Sequence, residues 1–230
     1  MLDTPEAHGF YPVILVDLNT PWEKVLDSGT PVSFPAKSVI SPNSSGVSAS
    51  GMYYIRRGRV RLSNIAANGQ EKVMLYMGRG TVFNEIPMLQ MGTDYLFTCM
   101  EQTDTVFISK KKITRDFIRE YPELMLNLLD SMSKKSRGFY SQLSGLRAFD
   151  SFVNVCRALY SMYLFSRAGA AVVPRLTQQE LAAFLGVHRS SLHKALFRLK
   201  DEGIIGPYNR NRLDILDPDQ LLVYAQGDEA

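Results

Sequence analysis

The stretch LTQQELAAFLGVHRSSLHKALFRLKDEGII, from Leu176 to Ile205, decides the fold of the C-terminal part of this chain. It predicts two short helices joined by a tight turn. Thr177 stands three residues before Glu180, which is the spacing of a capping box, where each side chain satisfies a backbone donor at the helix start. Gly186 supplies the left-handed residue that ends the first helix. His188 or Arg189 then begins the second helix.

Each of the two helices has one apolar face. The apolar residues are Leu176, Leu181, Phe184 and Leu185 in the first helix, and Leu192, Ala195, Leu196 and Leu199 in the second. The outer face of the second helix then holds polar and cationic side chains, namely Arg189, Ser190, Ser191, His193, Lys194 and Arg198. This helix suits the major groove of DNA, because Arg pairs with guanine and Ser adapts to several base edges. An ordinary helical hairpin with a solvated basic face is the alternative.

The distribution of charge favours DNA over that alternative. The net charge of the 230 residues is only +3, but the cations are concentrated in one place. Between Gly186 and Leu213 six of them (Arg189, Lys194, Arg198, Lys200, Arg210 and Arg212) stand against two acids, Asp201 and Glu202. A local concentration of cations is what contact with phosphates requires.

Several other classes of protein are not expected. The chain has no run of about 18 apolar residues that could span a membrane, and its start lacks the basic segment of a secretory signal. Cys99 and Cys156 lie far apart in apolar settings, which indicates buried thiols in the reducing cytoplasm. The three histidines are too few and too scattered for a zinc site. The sequence contains no Ser-His-Asp or His-Glu-x-x-His spacing of the kind that would indicate an enzyme.

The residues from about Thr30 to Ser109 predict an all-β roll or barrel, because short alternating segments are separated by glycine-rich turns. The segment MYYIRRGRVRLSNI alternates around Gly58, and Asn68-Gly69 predicts a hairpin turn. EKVMLYMGRGTVF then follows as the partner strand, and LFTCMEQTDTVFIS is a further alternating segment.

A long helix is predicted to begin at Pro122, which fits the first turn of a helix. Its apolar positions follow a 4-3-4-3-4-3 spacing that is typical of a helix pairing with a copy of itself. These seam residues are Met125, Leu129, Met132, Ser136, Phe139, Leu143 and Leu146, of which Ser136 is the one polar member. The competing interpretation is a helix that packs on its own β domain. Lys134, Lys135 and Arg137 lie outside the seam and indicate that most of the circumference is exposed to water.

The remaining C-terminal segments complete an α+β fold. Asp150 is expected to cap the next helix, and GPYNRNRLDIL predicts a two-stranded hairpin, or wing, around Asn209 to Asn211. We therefore predict three parts: a β-roll sensor domain over residues 1–120, a dimerisation helix and hinge over 121–149, and a winged helix-turn-helix domain over 150–230.

The order of these motifs resembles the transcription regulators of the cyclic-AMP receptor protein and fumarate–nitrate reductase regulator superfamily, abbreviated Crp/Fnr. The resemblance covers about Pro21 to Leu216. It rests on Tyr54-Ile55, Gly58, Val60, Asn68-Gly69 and Gly80 in the roll, and on Leu176-Thr177, Gln179-Glu180-Leu181, Gly186, Arg189 and the Leu192-to-Leu199 core. It implies a β-roll related to cyclic-nucleotide-binding domains, a homodimer, a palindromic DNA operator and contact with RNA polymerase.

The resemblance also implies roles for individual residues at the DNA. Arg189 matches the arginine that contacts a guanine in the cyclic-AMP receptor branch. Ser190 stands where both main branches, the cyclic-AMP receptors and the oxygen sensors, usually have glutamate. His193 stands where the oxygen-sensing branch has serine, and Lys194 stands where arginine is common. Thr177 and Gln178 are expected to contact phosphate. The complete predicted DNA-binding set is Thr177, Gln178, Arg189, Ser190, Ser191, His193, Lys194 and Arg210.

The sensor departs from the cyclic-nucleotide pattern. Members that bind cyclic nucleotides have a Gly-Glu pair and then an Arg followed by a small hydroxyl residue. Here Asn84 replaces the glycine before Glu85, and Asp94-Tyr95 stands near the Arg position. A phosphate anion would therefore meet a carboxylate in place of a cation. The sequence predicts an effector other than cyclic AMP.

The predicted effector-binding residues are Tyr76, Phe83, Asn84, Glu85, Met88, Tyr95 and Phe97, a mainly apolar and aromatic set that could hold a small hydrophobic molecule. The segment EKVMLYMGRG and the N-terminal FYP and PWEKV are similar to the chlorophenol-sensing branch. An ordinary β-roll core is the alternative for these side chains. Haem held by a methionine or by His8, and constitutive DNA binding without any ligand, stay open as alternative functions.

Overall fold

The computed structural model describes residues 10–40, 50–65, 71–89, 95–148, 150–166 and 171–227, and for residues 142–148 the backbone alone. The chain forms two compact units. One unit is Ile14–Ser136, and the other consists of Arg137–Ala230 with the N-terminal residues up to Val13. The predicted boundaries at residues 120 and 149 stay predictions.

Two sheets form the first unit. The five-stranded sheet has the order β1-β6-β5-β8-β3, and the four-stranded sheet has the order β2-β9-β4-β7. The strands are β1 Ile14–Leu15, β2 Thr30–Phe34, β3 Val39–Ile40, β4 Gly51–Arg57, β5 Arg59–Ile65, β6 Glu71–Gly78, β7 Val82–Phe83, β8 Tyr95–Cys99 and β9 Thr103–Ser109. Neighbouring strands run antiparallel, except that β1 pairs parallel with β6.

Gly58 is the point where the chain passes from one sheet to the other. Its φ is +99°, and a Cβ at this position would lie 2.6 Å from the Thr103 hydroxyl oxygen. Only glycine adopts that conformation without strain. The predicted turn at Asn68-Gly69 lies outside the described residues, but β5 and β6, the strands on either side of it, are antiparallel neighbours.

The four-stranded sheet packs on both of its faces. Tyr53, Phe83 and Phe107 share one face, because Tyr53 is the register partner of both phenylalanines. The opposite face presents Tyr54, Val82 and Val106 to a core that also contains Trp22 and Leu124. The sheet therefore separates an aromatic roll interior from a second apolar core beneath the helices.

The helices follow the predicted change of period. A 3-10 helix spans Thr20–Ser28, and the α-helices are α1 Glu85–Leu89, α2 Lys110–Lys112, α3 Ile118–Glu120, α4 Pro122–Ala148, α5 Ser151–Leu164, α6 Gln178–Leu185, α7 Arg189–Asp201 and α8 Pro218–Gln226. A π-helical turn over Ile113–Phe117 joins α2 to α3. The predicted α+β class is confirmed, and α4 begins at Pro122 as expected. None of the described helices is both long and apolar enough to cross a membrane.

The C-terminal unit contains the predicted helix cap and the predicted wing hairpin, to which a further strand, β10, is added. The Asp150 carboxylate accepts a hydrogen bond from the Val153 amide at 2.8 Å, which caps α5 as predicted. β11, Leu213–Asp214, pairs with β10, Ala171–Val172, and the Gly206 amide also donates to the Asp214 carbonyl at 2.8 Å beside an antiparallel bridge between Ile205 and Ile215. Pro207, the next residue, has no amide proton to extend this pairing. The turn itself is present, since the Asn209 amide donates to the Arg212 carbonyl at 3.1 Å.

Candidate functional site

The start of α6 and its junction with α7 have the predicted geometry. The Glu180 amide donates to the Thr177 hydroxyl at 3.2 Å, and the Thr177 amide donates to the Glu180 carboxylate at 2.6 Å. Gly186 ends α6 with φ +67° and ψ 27°. His188 caps α7 by accepting from the Ser190 amide at 3.4 Å. The capping box thus begins α6, and Gly186 and His188 end α6 and begin α7.

The outer side of α7 is a polar surface that reaches solvent. Leu192, Ala195, Leu196 and Leu199 are buried, as their spacing predicts. Arg189, Ser190, His193 and Lys194 are exposed, and Ser191 is half-buried. We call Arg189, Ser190, His193 and Lys194 the recognition surface of α7. All four project from the first two turns of the helix, which are the turns that contact base edges in helix-turn-helix proteins.

The turn after Gly206 lies beside the start of α6. The Tyr208 hydroxyl donates to the Leu176 carbonyl at 2.9 Å, and the Arg175 amide donates to the Arg210 carbonyl at 2.8 Å. Thr177 and Arg210 are exposed, and Gln178 is half-buried. The structure thus brings Thr177 and Gln178, the two predicted phosphate contacts, and Arg210, a further predicted DNA-binding residue, to one end of α6.

Arg198 is exposed on the outer side of α7, as predicted, but its side chain makes contacts within the C-terminal unit. Its guanidinium carbon lies 4.3 Å from the Phe152 ring centroid and 5.1 Å from that of Tyr224. Its Nε donates to the Glu202 carboxylate at 2.8 Å, which raises the pKa of the guanidinium. Arg198 therefore holds α5, α7 and α8 together. Its spacing four residues before Glu202 was the available signal for an ion pair.

The helix α4 presents two different faces over its first turns. Leu124 and Leu128 are buried in the apolar core of the first unit, and Met125 and Met132 are half-buried against it. Leu129 is 62% exposed, and Ser136 is exposed. Each of these seam residues follows a core-facing residue by one position. Because one residue turns the helix by about 100°, the predicted seam lies roughly a quarter turn around α4 from the side that faces the core. Phe139 is half-buried. The side chains of Leu143 and Leu146 lie outside the described residues.

Lys135 is buried, which contradicts the expectation that it lies on a wet face. Its side chain is only 7% exposed, and its ammonium is 2.5 Å from the Glu85 carboxylate. The ammonium also donates to the Val82 carbonyl at 2.8 Å. The seam pattern alone predicts an exposed Lys135, and it therefore does not predict the contact with Glu85. The 4-3-4 spacing of Leu124, Leu128, Ser131 and Lys135 marks a second inward face next to the seam.

The predicted effector residues do not all lie together in the structure. Phe83 and Phe97 meet inside the roll with ring centroids 5.1 Å apart, and Phe83 stacks on Tyr53 at 5.2 Å. Tyr95 is half-buried on β8, two residues before Phe97 and on the same face. Met88 belongs to the core beneath the helices.

Tyr76 does not line the roll interior. It is the register partner of Arg61, whereas Phe97 and Leu75 are the partners of the next residue, Leu62. Because side chains of cross-strand partners share a face and alternate along the strand, Tyr76 lies on the opposite face from Phe97. The structure therefore does not bring Tyr76 to the aromatic cluster.

The residues at the position of the nucleotide cassette have other partners. Asn84 has φ +73°, a conformation that glycine favours and asparagine tolerates, and its amide donates to the Gly51 carbonyl at 2.7 Å. The Glu85 carboxylate is engaged by Lys135. Asp94 and His8 lie outside the described residues. Both cysteines are free and buried, as predicted, and burial raises the pKa of the Cys156 thiol to about 12.

Two family models match separate parts of the chain. Residues 154–224 match a Crp-like helix-turn-helix domain, and residues 32–120 match a cyclic nucleotide-binding domain. The chain is 24% identical over 184 residues to the cAMP-activated global transcriptional regulator CRP of Haemophilus influenzae, over 77% of this chain and 80% of that protein. It is 26% identical over 155 residues to the cyclic AMP receptor protein of Thermus thermophilus, over 67% of this chain and 70% of that protein.

Solved structures with the same fold include a mutant CooA from Carboxydothermus hydrogenoformans, with a TM-score of 0.76, 18% identity and coverage of 92% of this chain and 100% of that one. The structure of CprK complexed with OCPA gives a TM-score of 0.74 at 19% identity, over 91% and 98% of the two chains. At these identities the likeness concerns the fold. With the two domain matches and the helix-turn-helix geometry, it leads to one conclusion: the chain belongs to the Crp/Fnr family of DNA-binding transcription regulators with an effector-binding domain.

Proposed function

We propose that the protein acts as a homodimer that binds a palindromic DNA operator and responds to a small effector other than cyclic AMP. The observation that supports this best is the recognition surface of α7. Arg189, Ser190, His193 and Lys194 reach solvent together on the outer side of a helix whose inner side is fully packed. The fork of an Arg side chain can pair with guanine in the major groove, while a Lys contacts phosphate or guanine.

The dimer would form through the seam of α4. Leu129 at 62% exposure lies in the seam, and Leu126 at 69% and Tyr140 at 70% stand on the neighbouring exposed side. A stripe of large apolar side chains on a long helix is stabilised by pairing with an equivalent stripe. The symmetry of such a pair matches the symmetry of a palindrome, with half-sites about one helical turn apart. In this arrangement the dimer also recruits RNA polymerase, as the family resemblance implies.

Two features argue against cyclic AMP as the effector. The Glu85 carboxylate is committed to Lys135 on α4, so that a sugar hydroxyl would have to break a buried ion pair to reach it. The sequence also puts Asp94-Tyr95 near the place where nucleotide-binding members have a cation for the phosphate. An unpaired phosphate beside a carboxylate is strongly unfavourable.

The aromatic cluster supports a hydrophobic or aromatic effector. Phe83 and Tyr53 are almost completely buried inside the roll, together with Phe97. A planar apolar molecule could replace one of these rings and stack on the others, since offset and tilted aromatic pairs are favourable. Such a ligand changes DNA binding only if it binds one conformation of the protein more tightly than the other.

The test is a pair of titrations on the purified full chain at one fixed salt concentration. Cyclic AMP and OCPA, the ligand named with the CprK structure, are each added while binding to a selected DNA duplex is measured. We expect no change with cyclic AMP and tighter or weaker DNA binding with an aromatic ligand. A rise in affinity with cyclic AMP would refute the proposed effector class. Strong binding that neither ligand alters would favour constitutive DNA binding.

A further inference from the structure

The outer side of α7 includes one large apolar side chain beyond the recognition surface. Phe197 is 63% exposed, although its neighbours Leu196 and Leu199 are buried. A single exposed phenylalanine is common on protein surfaces. Phe197 is distinguished by its position, because it lies on the same side of α7 as the recognition surface and follows that surface along the helix.

The helical geometry places Phe197 relative to Ser190. Seven residues bring it back to within about 20° of Ser190 around the helix axis and about 10 Å further along it. Lys194 lies between them on the same side. A distance of about 10 Å corresponds to roughly three base steps of one DNA strand. When the first turns of α7 enter the major groove, Phe197 therefore faces bases at the next positions of the half-site.

The charges around Phe197 favour DNA as the molecule that covers it. Lys194 precedes it by three residues and Lys200 follows it by three, and both are exposed. Arg198 is held by Glu202 and two aromatic rings, so its guanidinium is directed away from the DNA contact proposed for Phe197. An apolar ring flanked by exposed cations matches a groove whose walls are phosphates and whose floor contains thymine methyl groups.

We propose that Phe197 is a specificity-determining residue that contacts the 5-methyl group of a thymine in each half-site. This inference rests on the proposed operator binding through α7. In the major groove the thymine methyl is the apolar feature that distinguishes an A·T pair, and phenylalanine is suited to contact it. The residue thus adds an apolar contact to the polar contacts made by Arg189, Ser190, His193 and Lys194.

The experiment uses a duplex selected from a random pool by the wild-type protein. Each thymine is replaced in turn by deoxyuracil, which removes only the methyl group, and the dissociation constants are measured at fixed salt. At one symmetric position we expect about a fourfold loss per half-site, the value of burying one methyl group, and about 15-fold when both half-sites are changed. The Phe197→Ala variant should show no such loss at that position.

Leu216→Ala is the matched control, because Leu216 is 61% exposed and lies outside α7. It should retain the wild-type response to deoxyuracil. An equal response to deoxyuracil in wild-type and Phe197→Ala protein would overturn the inference, as would equal weakening of thymine and uracil duplexes by Phe197→Ala. Failure of the wild-type protein to enrich any sequence would instead refute the proposed operator binding, and this inference with it.

Discussion

At the scale of single residues, Arg189 is expected to contribute to sequence specificity and Lys194 to the overall affinity for DNA. Arg189→Ala should cost about 1–3 kcal/mol on the best sequence and relax the preference at one base pair, because a bidentate contact to guanine is lost. Lys194→Ala should weaken all duplexes to a similar degree if Lys194 contacts phosphate. Binding to a panel of single-base operator variants measures both effects. Uniform weakening by Arg189→Ala would identify a phosphate contact instead.

The pair of Glu85 and Lys135 is expected to matter for stability through its burial. Lys135→Met leaves the Glu85 carboxylate buried beside Val82 without its cation, which should cost about 3–5 kcal/mol of unfolding free energy. Glu85→Gln combined with Lys135→Met removes both charges and should cost less than the single change. Urea unfolding monitored by circular dichroism compares the three proteins. A double variant no more stable than Lys135→Met would contradict the coupling.

At the scale of elements, the capping box should stabilise α6. Thr177→Ala removes the acceptor for the Glu180 amide and should lower the unfolding free energy by about 1 kcal/mol. Thr177→Ser keeps the hydroxyl and serves as the control. Thermal unfolding of the three proteins provides the measurement, and equal melting temperatures would show that the cap contributes nothing.

The seam of α4 should respond to charge. Leu129→Glu places a carboxylate on a side chain that is 62% exposed, so the subunit should still fold while the dimer dissociates through like-charge repulsion. Arg137→Glu is the control, because it adds the same carboxylate at an exposed position roughly a third of a turn around α4 from the seam. Light scattering after size-exclusion chromatography reports the molecular mass. A dimer that survives Leu129→Glu would place the interface elsewhere.

The elements also show what could be predicted from the sequence. The helix-turn-helix was predictable in detail because its signals are local: a cap at Thr177, a left-handed Gly186 and an apolar repeat from Leu192 to Leu199. The wing hairpin was predictable from its local turn at Asn209, but the pairing of β11 with β10, about 40 residues earlier in the chain, was not. A strand's partner depends on long-range pairing, which local patterns do not specify.

The division of the effector residues was unpredictable for a similar reason. Alternation along β6 and β8 assigns each residue to one of two faces, but it does not tell which face of one strand adjoins which face of the other. Tyr76 and Phe97 both belong to apolar segments, yet the register of β5 with its two neighbours puts them on opposite faces. The contact of Lys135 with Glu85 joins residues 50 positions apart. The inward position of Lys135 has a local signal in the helical spacing of α4, but neither its partner nor the register of the strands does.

At the scale of the whole molecule, the proposed dimer would combine an α4 seam that pairs two subunits with an α7 surface that contacts bases. Each half depends on the other, because a dimer sets the spacing of two recognition helices and that spacing sets the spacing of the half-sites. The exposed apolar stripe and the exposed cations are both present in the chain. The operator that such a protein selects should therefore record both features.

The most direct measurement is selection of DNA from a random duplex pool by the purified full chain, followed by sequencing. We expect an inverted repeat with half-site centres about 10 base pairs apart, and loss of one guanine preference with Arg189→Ala. Enrichment of a single, non-repeated half-site, or of no sequence, would contradict this expectation.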